Sequence, residues 1–198
     1  MDTRYFLLVY FILFFTCAFW GVSYRVARRI KKNPMVLPKD DSAFGLAGGY
    51  FKRLMLALFL YVTGTAFIAT PVDYLPVLQL FAQPWIQYTG IGLMIFAFGW
   101  VLMAQYQMRD SWRIGIDKET KTKLVTTGLF RFSRNPVFAG MLLSLAGLFL
   151  ARPDVVTLFF FFTGYLLIQV QVRLEEAFLL QEHGIIYQQY QLKTRRFL

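Results

Sequence analysis

Five apolar blocks constrain this chain more than any other feature. Residues 5–22, 54–70 and 86–105 each approach the roughly 20 residues that a helix needs to cross hydrocarbon. Residues 137–150 fall short of that length, residues 155–172 barely reach it, and only "ARPD" separates them, which predicts a tight helical hairpin. A chain of 198 residues that is 57% hydrophobic and only 16% charged does not read as an ordinary soluble domain. The expected fold is therefore an all-α integral membrane protein with about five transmembrane helices, the fourth and fifth forming the hairpin, and a cytoplasmic C-terminal helical segment. The first block reads as a retained anchor: it is preceded by Arg4 beside Asp2 and followed by no small-residue cleavage site.

The net charge of +10 would point to nucleic acid in a soluble protein, but its placement points to a membrane. Basic residues cluster after the first block, between Arg109 and Arg134, and after the fifth block; only Arg4 and Arg152 fall on the other side. Cytoplasmic loops retain Lys and Arg, so the N-terminus is expected outside, with the C-terminus and the polar chemistry on the cytoplasmic side. Cys17 is the single cysteine and His183 the single histidine, which leaves no intrachain disulfide and no zinc pattern. A serine-hydrolase elbow and the glycine-rich phosphate loops are also missing.

Three cytoplasmic segments remain as carriers of function. In the first, Pro34, Pro38 and the glycines Gly45, Gly48 and Gly49 argue against one continuous helix from Arg25 to Arg53. In the second, β-prone stretches on either side of "KETKT" suggest a small hairpin under the membrane. That segment ends in "GLFRFSRNPVFAG", where Asn135 fits an N-cap and Pro136 a first helical turn. An open helix N-terminus beside Arg131 and Arg134 suits a carboxylate or phosphate, although a cap with headgroup-level anchors accounts for the same residues. The third is the tail. Glu175 and Glu176 stand where the fifth block leaves the membrane, and helical spacing puts Glu176, Leu180 and His183 on one face, with Tyr187 and Tyr190 beyond Gly184. An amphipathic interfacial helix is the plainer account of that tail.

Taken in order, "LVTTGLFRFSRNPVFAG" and "RLEEAFLLQEHGIIYQQYQLKTRRF" resemble the isoprenylcysteine carboxyl methyltransferase family, which is related to the phospholipid N-methyltransferases. The family's glycine, aromatic, Arg-His/Asn-Pro, aromatic and glycine positions fall on Gly128, Phe130, Arg134, Asn135, Pro136, Phe138 and Gly140. Its Glu-Glu, tyrosine and arginine positions fall on Glu175, Glu176, Tyr187, Tyr190 and Arg195 or Arg196. Asn135 replaces the eukaryotic histidine, and His183 stands where phenylalanine is usual. The resemblance implies S-adenosylmethionine as cofactor, held by Gly128, Phe130, Arg134, Asn135, Pro136, Gly140, Glu176, Tyr187 and Tyr190, with Arg173, Glu175 and Glu176 as the catalytic set. It implies a lipophilic acceptor, met among membrane lipids.

The expectation is thus one membrane methyltransferase domain over residues 1–198, with helices in 1–105 and a cofactor-binding half in 106–198. Carboxyl O-methylation of an isoprenylcysteine-like substrate is the leading expectation. Phospholipid or amine N-methylation is the alternative, followed by an NADPH-dependent membrane reductase and a non-enzymatic membrane scaffold. Phenylalanines 159 to 162 would line an acceptor entry or face lipid, and nothing in the helices dictates an oligomer.

Overall fold

The computed structural model describes residues 2–33, 35–36, 42–68, 76–115 and 123–197. Pro34, Pro38 and the "KETKT" tip lie outside them.

The first block extends into a single rod, Thr3–Ile30, in which α1 (Thr3–Phe14) passes through a π-helical stretch (Phe15–Gly21) into α2 (Val22–Ile30). The wider turn loosens the carbonyl ladder, and the Ala18 carbonyl accepts from Gln105 Nε2 at 2.8 Å. Lys31 ends α2 in the left-handed region (φ 55°). Helix α3 (Ala43–Phe67) starts at Ser42, whose hydroxyl accepts from Gly45 N at 3.1 Å. The break expected in this region therefore falls before Ser42, while Gly45, Gly48 and Gly49 lie inside the helix. Glycine is tolerated in such helices because neighbouring helices and lipid leave the backbone no better partner than its own ladder.

Helix α4 (Pro84–Met108) begins on a proline and ends at Arg109. Helix α5 (Pro136–Ala151) is followed, after Arg152–Asp154, by α6 (Val155–His183), and a kink at Gly184 leads into α7 (Ile185–Lys193). Among the described residues, four helical stretches are long and apolar enough to cross a membrane: Thr3–Ile30, Ala43–Phe67, Pro84–Ser111 and Val155–His183. Only 22% to 39% of the most apolar window of each is buried inside the protein, so the remaining apolar surface calls for hydrocarbon as its solvent. This is an integral membrane protein. With 16 residues, α5 is about 24 Å long, and nine of its residues are buried, which makes it the internal helix.

Helices α4 and α5 pack most closely. A Cβ at Gly90 would run into the backbone of Gly147 and Ala151, and one at Gly147 into Met94, so these glycines allow an approach that no larger residue permits. Around this pair, Leu7, Phe11 and Phe14 of α1, Leu58 and Val62 of α3, and Ile168 and Val172 of α6 close the core. A buried hydroxyl pair crosses it, Tyr10 Oη to Ser144 Oγ at 2.7 Å. Phe160 joins this core, whereas Phe159 and Phe162 are exposed and face outward.

At one end of the bundle Asp154 gathers the chain. Its side chain caps α6 through Thr157 N at 2.8 Å, accepts from Arg152 Nε at 2.9 Å and is bonded to the Tyr61 hydroxyl of α3. At the other end Trp112 packs on Val22 and Val26 of α2. There β1 (Met35–Val36) pairs in parallel with β2 (Ile114–Gly115), the only ladder among the described residues. Of the hairpin expected around "KETKT", the described residues show Ile114–Gly115 paired with the segment after α2 and no strand in residues 123–126; its centre lies outside them.

Candidate active site

The motif that opens α5 is built as a clasp for the C-terminal segment. Ser133 pairs in parallel with Arg195, and Arg134 N donates to the Arg195 carbonyl at 2.8 Å. The Arg134 guanidinium reaches Glu176 on α6 from Nε (3.1 Å) and Nη2 (3.3 Å), and its Nη1 donates to the carbonyls of Gln191 and Thr194. Arg196 closes the same carboxylate from the other side, with Nε at 3.0 Å and Nη2 at 2.9 Å from Oε2. Asn135 Nδ2 donates to Glu176 Oε1 at 2.9 Å and to the Arg196 carbonyl at 3.1 Å.

Two expectations change here. Asn135 occupies the N-cap position of α5, but its side chain makes no capping bond; the Glu176 carboxylate is the stronger acceptor and draws the amide away. Arg134, expected to hold a cofactor carboxylate, commits four N–H bonds to Glu176, Gln191 and Thr194 and also hydrogen-bonds the Tyr187 hydroxyl, so the five donors that an arginine carries are engaged within the protein.

The clasp supports an open cleft. Its lining comes from the motif (Phe130, Arg134), from α6 (Glu175, Phe178, Leu179), from α7 (Tyr187, Tyr190) and from the stretch beyond α4 (Met108, Ser111, Arg113, Lys123–Val125). The cavity measures about 120 Å³, below the roughly 300–1,000 Å³ of pockets that engulf a drug-sized ligand, so it is a groove with an open mouth. Tyr190 donates to the Phe130 carbonyl, which ties α7 to the motif. Burial pushes the Tyr190 hydroxyl up to about 12 and Tyr187 higher still, with the Glu176 charge adding to the latter. Both remain neutral donors in any working buffer.

The expected site residues thus separate into three groups. Phe130, Arg134, Glu175, Tyr187 and Tyr190 come together at the cleft. Gly128, Asn135, Pro136, Gly140 and Glu176 stand outside its lining and build the frame. Gly128, at φ +64°, lies against Gln107, whose Oε1 accepts from Leu129 N at 2.8 Å. The Pro136 carbonyl accepts from Trp100 Nε1 at 2.9 Å, and Gly140 packs on Val101 and Trp100 of α4. Arg173 is not brought to the cleft: it is exposed and bonds back to Gln169, one turn earlier.

Residues 85–185, more than half of the chain, match the phospholipid methyltransferase family. The chain belongs to this family. The match opens in α4 and closes at the start of α7, so it takes in the motif, the Glu175–Glu176 pair and the wall at Met108–Arg113. It excludes Tyr187, Tyr190 and the Arg196 end of the clasp. No curated protein matches the chain.

Gln107, Arg113, Lys123 and Gln171 are not among the expected site residues, and the sequence marks Arg113 and Lys123 only as cytoplasmic charge. Gln107 and Gln171 carried a signal that was available: an amide in or beside an apolar helix needs a partner, and the partner points to the site.

Proposed function

We propose that this family member is an S-adenosylmethionine-dependent methyltransferase whose cleft opens at the membrane face and whose acceptor is an amine-bearing lipid. Glu175 carries this reading. Among the described residues it is the one carboxylate in the cleft lining, and only one of its oxygens has a hydrogen-bond partner. A carboxylate acceptor would meet like charge there, whereas an amine meets an oxygen able to take its proton.

The cofactor fits the chemistry of the lining. When bound, S-adenosylmethionine supplies an electrophilic methyl group on a positively charged sulfur. Phe130, Tyr187 and Tyr190 offer ring faces to a cation, and Arg113 and Lys123 offer positive charge to a carboxylate. Alignment of two reactants in a sheltered groove supplies much of the acceleration that methyl transfer needs. Arg113 and Lys123 also favour a second reading, carboxyl methylation of an isoprenylcysteine-like acceptor, in which they hold the acceptor carboxylate. In both readings residues 1–198 act as one domain, α5 completes a five-helix layout, and the basic end carrying the cleft is cytoplasmic with the N-terminus outside.

Radiolabelled methyl transfer on membranes, followed by separation of lipid and protein, tests the proposal. The expected result is label in lipid that resists mild base, with cofactor binding by calorimetry weakened in Arg113→Gln and Lys123→Gln. Base-labile label would refute the amine acceptor in favour of the ester, and binding of NADPH without S-adenosylmethionine would refute the methyltransferase itself.

A further inference from the structure

Glu175 and Glu176 are neighbours in sequence but differ in how they are held. Three side chains fix the Glu176 carboxylate. Glu175 has a single partner among the described residues: Gln171, one turn earlier on α6, donates from Nε2 to Glu175 Oε1 at 3.0 Å. The other end of that amide is anomalous. Gln171 Oε1 is buried and has no hydrogen-bond partner among the described residues. Reversing the amide would set its oxygen against the carboxylate, so the observed orientation is dictated by Glu175 alone. A buried orphan of this kind calls for a reason in a native protein, and a methionine at this position would fill the same space without it.

We infer that Gln171 is a positioning residue for methyl transfer: it tethers Oε1 of Glu175 and so presents Oε2 to the acceptor amine. This rests on the reading of Glu175 as the group that takes the proton from the acceptor. In that step the N–H proton passes to Oε2 while the electron pair of the N–H bond stays on nitrogen. An untethered carboxylate would rotate among several orientations and lose a donor that favours its charged form.

The test compares Gln171→Met and Gln171→Glu with wild type in mixed micelles containing phosphatidylethanolamine. Initial rates are followed across pH, melting temperatures are taken on the cofactor-free protein, and S-adenosylhomocysteine binding is measured by calorimetry. Both variants are expected to lose about tenfold or more in kcat, the fold-change of one charge-assisted hydrogen bond. In Gln171→Met the acid limb of the rate profile moves to higher pH. Melting temperature is expected to hold or rise in Gln171→Met and to fall in Gln171→Glu, where two carboxylates meet, so rate and stability part company. A purely structural glutamine would make the Gln171→Met rate follow a lowered melting temperature and weakened S-adenosylhomocysteine binding, and that pattern overturns the inference. A Gln171→Met rate within twofold of wild type, with an unmoved profile, overturns it as well and leaves the amine reading standing. A wild-type protein that methylates only carboxylates refutes the amine reading and takes the inference with it.

Discussion

Replacing Glu176 with glutamine should open the clasp while leaving the helical bundle folded. The substitution keeps the side-chain volume and removes the charge that two arginines share. Those arginines differ in surroundings: the side chain of Arg134 is 10% exposed and that of Arg196 is 37% exposed. Removing the partner of a buried charge costs about 3–5 kcal/mol, and Arg134 falls in that class. Arg196 is wet enough for solvent screening to hold its share to about 1 kcal/mol or less. Glu176→Gln is therefore expected to cost several kcal/mol and Arg196→Gln several-fold less. For a chain of this size the larger figure corresponds to a drop in melting temperature on the order of 10 °C. Thermal unfolding in detergent, with limited proteolysis of the C-terminal segment, measures both. The cut should appear beyond α6, because the Arg134 contacts to the Gln191 and Thr194 carbonyls loosen together with the carboxylate. Equal losses in Glu176→Gln and Arg196→Gln, or a loss below about 1 kcal/mol in the former, would refute the account of Arg134 as the buried half of the pair.

Three further comparisons follow from local geometry. Gly90→Ala should lower the melting temperature by an overpacking cost of about 1–3 kcal/mol, since its Cβ meets the backbone of α5. Gly49→Ala meets no atom within 4 Å and should be neutral or gain up to about 1 kcal/mol. Gly184→Ala also has open space, but its φ of +53° penalises any side chain by about 1–3 kcal/mol; Arg109→Gly, at φ 50°, should run the other way by up to about 1 kcal/mol, and chemical denaturation of the pair reads the opposite signs. Tyr61→Phe removes a bond to Asp154 at the end of the bundle away from the cleft. A lower melting temperature with unchanged S-adenosylmethionine binding is expected, and altered binding would contradict that separation.

Much of the scaffold was legible because hydrocarbon imposes a simple rule on sequence: long apolar runs become helices. The rule marked the apolar cores of the helices but not their ends, so the first block read as residues 5–22, whereas the rod continues to Ile30 through three arginines. Those arginines leave the membrane on a helix whose other face, Val22 and Val26, still has Trp112 to pack against. The glycines of α3 read as breakers because the reading used propensities suited to water. In the motif, residue types were legible and directions were not. Asn135 before Pro136 is a cap by every local signal, and only a carboxylate 41 positions away explains why its amide points elsewhere. The cleft wall at Arg113 and Lys123 had no pattern of its own to read.

The length of α6 has a consequence for what the protein can reach. Its 29 residues amount to about 44 Å of helix, whereas the hydrocarbon layer is about 30 Å thick. With Asp154 near one membrane surface, as the proposed function has it, Glu175 stands 21 residues further along, about 31 Å away, level with the opposite surface, and the last turns of the helix reach into the layer where lipid headgroups meet water. Under the proposed function a lipid at that depth would offer its polar end without lifting its chains from the bilayer, while a water-borne cofactor would arrive from the far side. The helix would then work as a ruler, sorting candidate acceptors by the height of their reactive atom before the cleft examines its chemistry.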